Sequence, residues 1–301
     1  MVWNGVLERG ANPIPGYELL RVCGRGAFAE VWQAQSPFGQ EVALKVVQVT
    51  DAAEAVREVR AIRTISKMPH RRLIRIDQVW AVPGYVIVAM ELAQGSLMDV
   101  LDAYREECRS PVPITHLLPF MRHSAEAIDF LNLRQHQTDR LRVSFQHCDI
   151  KPSNLLLVDG RVKLADFGLT TPMSASFGNR PRCGTPAYAA PEVFQGQLSD
   201  RTDQYALAIT YFHLRTGRLP FPVPASDLRP SSFVKPDVSA LNNQERFIVE
   251  RALRTAPSDR WMNCTTFVQA LEAAITNETL VDRGGSITDS FLGGLSDTVL
   301  D

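Results

Sequence analysis

Apolar and polar residues alternate over the first fifty positions of the chain. YELLRVCG from Tyr17, AEVWQAQ from Ala29 and EVALKVVQV from Glu41 place apolar or β-branched side chains at every second position or in short runs, which predicts strands. A turn through Ser36, Pro37, Phe38 and Gly39 separates the second from the third. The next stretch, DAAEAVREVRAIRTISKM, opens with Asp51 and Glu54 in capping-box spacing and runs to Met68 without glycine or proline, so it predicts a helix. LIRIDQVWAV and YVIVAMEL then read as a hairpin across Pro83 and Gly84. Beyond Glu91 the period lengthens. Helices are predicted from Ser96 to about Glu107, Thr115 to about Arg134, Thr202 to Arg215, Gln244 to Leu253 and Cys264 to Ala274. A sheet-rich portion followed by a larger helical one is an α+β organisation. The stretch Gln135 to Phe145 reads as a surface insertion without a role, and the polar, glycine- and serine-containing stretch 276–301 reads as a flexible tail.

Composition narrows the class. A chain of 301 residues that is 45% hydrophobic can bury a substantial core, and a formal net charge of −1 provides no basic field for nucleic acid. Apolar runs stay well short of the ~18 to 20 residues of a membrane span, and MVWNGVLERG lacks the regions of a signal peptide, so a cytoplasmic location is expected. The five cysteines are odd in number and show no metal-ligand spacing, which points to thiols in a reducing compartment.

Chemistry is concentrated in QHCDIKPSNLLL, Gln146 to Leu157, and ADFGLT, Ala165 to Thr170. Moving the terminal phosphoryl of ATP to a hydroxyl passes through a highly anionic transition state, for which a protein supplies position and positive charge. Asp149 can accept the incoming hydroxyl's proton. Asn154 and Asp166 offer the hard oxygens that magnesium prefers, and Lys151 can meet the transferring phosphate as a compact point charge.

These segments resemble the catalytic and metal loops of the protein kinase superfamily in its serine/threonine branch, in particular the bacterial eukaryotic-like kinases. Lysine two residues after Asp149, and CGTPAY at Cys183 to Tyr188 before APE at Ala190 to Glu192, carry the branch assignment. The resemblance runs from about Tyr17 to about Ala274 and implies a bilobal fold, with a small antiparallel-sheet N-lobe holding one helix and a larger, mainly helical C-lobe. The implied divisions are an N-terminal extension 1–16, a kinase domain 17–275 with lobes at about 17–91 and 96–275, and the tail.

The resemblance also implies a site. Gly24, Arg25, Gly26, Ala27 and Phe28 form a phosphate lid that joins two strands, whereas a dinucleotide-binding loop would open a helix. Lys45 holds the alpha and beta phosphates. Lysine occurs only at 45, 67, 151, 163 and 235, the rest of the 32 basic residues being arginine, so two of five lysines fall where the family needs an ammonium. Glu54 and Glu58 share a helix face and either can reach Lys45; Glu58 is chosen, because Ile62 then falls at a hydrophobic spine position. Val31, Ala43 and Leu156 enclose adenine, Met90 is the gatekeeper, and backbone groups of Glu91 and Ala93 pair with the adenine edge. Magnesium, or manganese in its place, accompanies ATP; the partners are protein substrates, with autophosphorylation in trans.

Further roles carried over are structural: His147 packs against Phe167, Asp203 holds the catalytic-loop backbone, Glu192 pairs with Arg260, and Thr185 bonds Asp149 and Lys151. Three positions depart from the family pattern. Ala29 replaces the third glycine of the lid, Cys148 stands where many members have arginine, and Pro181 stands where a phosphorylated threonine is usual. Loss of both partners of that charge-assisted contact implies a rewired, non-RD switch, with Thr170, Thr171, Ser174 and Ser176 as remaining hydroxyls. The alternative to an active kinase is a pseudokinase serving as a nucleotide-binding scaffold or allosteric partner, which commonly lacks one or more of the residues this chain retains.

Overall fold

Alternation along each strand decides which side of the N-terminal sheet a residue serves. In the computed structural model, which describes residues 5–26, 29–49, 52–133, 136–138, 141–172, 184–222 and 235–276, five antiparallel strands run in the order β1-β2-β3-β5-β4. They are β1 (Glu18–Arg25), β2 (Ala29–Gln35), β3 (Glu41–Gln48), β4 (Ile76–Val82) and β5 (Tyr85–Glu91). Val42, Leu44 and Val46 of β3 join Leu19, Trp32, Ile87 and Ala89 in one buried cluster. Side chains of period two then send Ala43 and Lys45 to the opposite side, which faces the C-lobe. On β5, Val86 and Val88 meet Val59 and Ile62 of helix α1 (Ala52–Ser66). The register pairs Lys45 with Val31 on one flank and Val88 on the other, so the single lysine of the sheet sits between apolar neighbours.

Residues before Tyr17 join this lobe. Gly10 N–H donates to Leu19 O at 2.8 Å, Leu19 N–H to Ala11 O at 2.9 Å, and Ile14 is buried in the same cluster as Leu19. Hairpin β4–β5 starts at Ile76, three residues later than the hydrophobic run suggests. Leu73 instead bridges Leu164 of the C-lobe, and Ile74 N–H donates to Leu164 O at 2.8 Å. The apolar character of Leu73 and Ile74 therefore reflects a seam between the lobes.

The C-lobe is organised around α5 (Thr202–Thr216). Every residue from Thr202 to Leu214 is buried, so this helix is surrounded on all sides and closes at Gly217 with a left-handed φ of 76°. Helix α3 (Ile114–Asn132) packs on it with a stripe of Leu117, Met121, Ala125, Ile128 and Leu131. Helix α2 (Leu97–Cys108) follows the two-residue strand β6 (Gly95–Ser96) and starts at a complete capping box, Ser96 with Asp99. Helix α6 (Asn243–Ala252) is capped by Asn242, and a last helix, α7, covers 264–276 with its first N–H groups held by Asp129. The short α4 (Pro191–Phe194) precedes α5 in the chain. No helix among the described residues is long and apolar enough to cross a membrane.

The predicted insertion is corrected by the structure. Strands β7 (His136–Thr138) and β8 (Leu141–Val143) form a hairpin, and His136, Val143, Ser144 and Phe145 are buried. His136 lies between Phe130 and Phe145, 4.9 and 5.8 Å from their ring centroids, and its Nε2 is 2.7 Å from Phe130 O. Phe145 opens β9 (Phe145–Gln146), which pairs with β12 (Thr171–Pro172). The hairpin is thus packed into the approach to the loop that carries Asp149. Its polar sequence concealed this, because only one side of it faces inward.

Candidate active site

A tight hairpin delivers two of the expected ligands. Strands β10 (Leu155–Val158) and β11 (Arg161–Leu164) turn at Asp159 and Gly160, whose φ values of 50° and 69° are those a two-residue type I′ hairpin requires. Leu155 pairs with Leu164, and just beyond the strand ends Ala165 N–H donates to Asn154 O at 3.0 Å. Asn154 and Asp166 therefore meet because the strands between them are of equal length.

Asp149 is held by three side chains and one backbone group. Lys151 Nζ lies 2.9 Å from Oδ2, and Asn154 Nδ2 donates to the same oxygen at 2.9 Å and to Asp149 O at 2.8 Å. Thr185 donates to Oδ1 from its N–H at 2.8 Å and its hydroxyl at 3.0 Å, while Lys151 donates to Thr185 Oγ1 at 2.6 Å. Gly184 is required beside them, since a Cβ there would stand 2.5 Å from both Asp149 Oδ1 and Cys148 O. Burial on its own would raise the Asp149 carboxyl. The bond and charge of Lys151, helped by Thr185 N–H, outweigh it and hold the carboxyl below the ordinary range.

The loop beneath is held from α5. Cys148 takes a left-handed φ of 66°, a conformation that costs a side-chain-bearing residue roughly 1–2 kcal/mol. Asp203, at the start of α5, offsets this by accepting His147 N–H at 2.7 Å and Cys148 N–H at 2.9 Å. Burial pushes its carboxyl up against the pull of those two donors. His147 Nδ1 accepts Asp149 N–H at 3.3 Å, leaving Nε2 to donate to Ala165 O at 2.9 Å, and the ring meets Phe167 edge-on at 5.6 Å. One buried imidazole so links the segment of Asp149 to that of Asp166. Asp166 itself has a left-handed φ of 67°, and its Oδ1 is 2.6 Å from Lys45 Nζ. Desolvation opposes ionisation there, but the charge and hydrogen bond of Lys45 keep the carboxyl below its usual value.

Between the lobes lies a cleft of about 360 Å³. Of the residues expected around a nucleotide, Gly24, Val31, Ala43, Lys45, Met90, Glu91, Ala93 and Leu156 line it, together with Asn154 and Asp166. Arg25 instead turns toward Glu30, 3.5 Å away, and Gly26 donates to Ala29 O at 2.7 Å, both outside the lining. Ala27, Phe28 and Asp51 lie outside the described residues, as do the side chains of Glu54 and Glu58, so the expected Lys45–Glu58 pair falls there too. Ile62, expected at a spine position, also lines the cleft; Cys23, Ser153 and Asp99 line it too and were missed. For Cys23 the signal was available, as the residue entering the glycine stretch; for Asp99, whose carboxylate accepts Ser96 N–H at 2.7 Å, it was masked by its capping role.

Two hydroxyls proposed for modification are corrected by their burial. Thr170 and Thr171 are both buried, the latter inside the β9–β12 pairing with its hydroxyl on Leu169 O at 2.9 Å. Ser174, Ser176 and Pro181 lie outside the described residues. The pair Glu192–Arg260 forms as expected, with both nitrogens engaged at 2.7 and 2.8 Å.

Comparison with known proteins agrees with this geometry. A family model described as "Protein kinase domain" matches residues 17–271. Among curated proteins the chain is similar to CBL-interacting protein kinase 4 of Oryza sativa subsp. japonica, 33% identical over 222 residues, covering 70% of this chain and 46% of the relative. It is also similar to the serine/threonine-protein kinases PknF and PknI of Mycobacterium tuberculosis. PknF is 28% identical over 275 residues, covering 85% of this chain and 56% of the relative. For PknI the figures are 29% over 294 residues, 93% and 44%. The chain spans about half the length of these relatives.

Proposed function

The chain belongs to the protein kinase family, in its serine/threonine branch, and from that premise we propose that it transfers the gamma-phosphoryl of ATP to serine or threonine hydroxyls of proteins in a magnesium-dependent reaction. The observation that carries the proposal is the set of bonds around Asp149: a lysine, an amide and a threonine converge on one carboxylate beside the open cleft. In this reading Asp149 orients the acceptor hydroxyl and receives its proton. A carboxyl held this low is a weak base at neutral pH, so the proton arrives late, as the bond to phosphorus forms. Lys151 screens the charge of the transferring group from the same side, and Thr185 keeps lysine and aspartate in register. Lys45 holds the alpha and beta phosphates, exchanging part of its contact with Asp166 for them.

The donor set suits magnesium, which prefers six hard oxygens and retains several waters. Asp166 and the amide oxygen of Asn154 would hold it, since Asn154 turns its nitrogen toward Asp149. Bound there, it supplies neutralisation of phosphate charge. Val31, Ala43 and Leu156, which line the cleft, would enclose the adenine, with Met90 behind it.

Activation is proposed to be independent of phosphorylation at the usual threonine. Cys148 provides a buried thiol directed at Gln146 O, 3.6 Å away, where a cation would otherwise read a phosphate. The entry to the following segment is held by backbone pairing, Gln146 with Thr171 and Phe145 with Pro172. Transfer from labelled ATP with magnesium or manganese, by the parent chain and by Asp149→Asn, tests the proposal. Transfer by the parent and its loss in the variant is the expected result; silence of both, with ATP still bound, would turn the reading to a pseudokinase. Full activity after phosphatase treatment is expected for the switch, and restoration only by phosphorylation near Pro181 would refute it.

A further inference from the structure

The scarcity of lysine singles out a third position besides 45 and 151. Of the five lysines, 67 and 235 are exposed, whereas Lys163 is paired and mostly buried, like the two assigned to phosphates. Its Nζ lies 2.6 Å from Glu91 Oε1, with side-chain exposures of 18% for Lys163 and 14% for Glu91. The same oxygen accepts Arg75 N–H at 2.7 Å, and Glu91 N–H donates to Arg75 O at 3.0 Å. Glu91 is therefore fastened to the segment leading into β4 by its backbone and its side chain, and to C-lobe strand β11 by a charge. Nearby, Gln94 N–H donates to Leu157 O at 2.9 Å, so the connector between the lobes lies along β10 and β11.

Consider what this leaves free. With its N–H on Arg75 O, Glu91 can offer the cleft only its carbonyl, and that carbonyl extends from a Cα whose position is held by the N–H bond and by both contacts of the side chain. Lys163 lies three residues before Asp166 and opposite Leu156 in the β10–β11 register. One ammonium thus connects the edge expected to meet adenine with the strand that delivers a metal ligand.

We propose that Lys163 is a positioning residue for the nucleotide: by clamping the Glu91 carboxylate, it orients the connector backbone toward the adenine edge. The proposal rests on the nucleotide reading of the cleft. A compact ammonium suits this place, since Lys163 makes one 2.6 Å contact with Glu91, to an oxygen already shared with Arg75 N–H.

The test compares the parent with Lys163→Met and Glu91→Gln, using ATP kinetics and equilibrium binding of adenosine and of tripolyphosphate. Adenosine reports the adenine edge, tripolyphosphate the phosphate groups. Lys163→Met is expected to raise KM for ATP and weaken adenosine by about tenfold, with kcat and tripolyphosphate affinity within about twofold. Glu91→Gln should reproduce this, and the double variant should add little, because both remove one contact. Unchanged adenosine affinity in a folded Lys163→Met overturns the proposal, as does equal weakening of adenosine and tripolyphosphate, which marks a general loss of structure. If Lys163→Met does not fold, Glu91→Gln decides by the same criteria. A parent that binds neither probe overturns the nucleotide reading and this proposal with it, whereas a parent that binds both beside an unaffected variant overturns this proposal alone.

Discussion

Glu192–Arg260 and Lys45–Asp166 are both carboxylate–cation pairs that close long loops of chain, yet they are built in opposite ways. Arg260 presents five N–H groups, and all are engaged: two on Glu192, the others on Arg254 O, Arg201 O and Thr255 O. Its side chain is 0% exposed and that of Glu192 7%. Lys45 touches Asp166 through one 2.6 Å contact, with exposures of 19% and 36%. A saturated, dry fork holds one geometry, since any movement leaves a buried charge without its partner. A point charge at the edge of a cleft can turn to an incoming phosphate while keeping part of its first contact. The C-lobe pair serves the fold, and in the proposed reading the cleft pair serves exchange.

The comparison breaks most visibly by removing one partner from each pair. Arg260→Met leaves Glu192 buried and unpaired and is expected to lower stability by about 4 kcal/mol, near 10 °C in melting temperature, measured by calorimetry. A shift of only a degree or two would show that the dry pair is not what holds α4 to the C-lobe. Lys45→Met is expected to change stability by less than about 1 kcal/mol, since the pair is partly solvated, while transfer falls about 100-fold. A large stability loss with modest loss of transfer would reverse the assignments.

Thr185→Val sharpens the picture within the site. It removes the hydroxyl between Lys151 and Asp149 but keeps the N–H bond to Asp149. A fall of about tenfold in kcat with KM for ATP unchanged is expected in steady-state kinetics. The smallest effect concerns pH. Asp149 and Asp166 both have carboxyls lowered from 3.8. Their ionised, paired forms therefore contribute stability that is complete above about pH 4 and is lost as pH falls through the lowered values. Unfolding free energy of the parent should decline in that acidic window, and less steeply in Lys45→Met, where the pairing that lowers Asp166 is gone.

Much of the site was legible along the chain because its parts are local. Asp149, Lys151 and Asn154 lie within six residues, and their order alone states a chemistry. The β10–β11 hairpin was not predicted as such, although Asp159-Gly160 between apolar runs is a strong turn signal. Helix limits differ by a residue or two: Asn243–Ala252 against an expected start at Gln244, and Ile114–Asn132 against Thr115 to Arg134. The reading of 135–145 as an insertion failed because burial of His136 and Phe145 depends on Phe130, in a helix that precedes them.

By itself the sequence determined the α+β order of elements and the set of groups suited to phosphoryl transfer, because period, capping and turn chemistry act over a few residues. Beyond the expected Glu192–Arg260 pair, tertiary structure alone decided which charges meet. Lys45 takes Asp166 at a separation of 121 residues, and Lys163 takes Glu91 at 72. Thr171 is withdrawn from solvent by a strand pair with Gln146, and Thr170 is buried just before it. Pairings of that range follow from how two sheets and a buried helix pack, and no local pattern encodes the distance between side chains that only packing brings together.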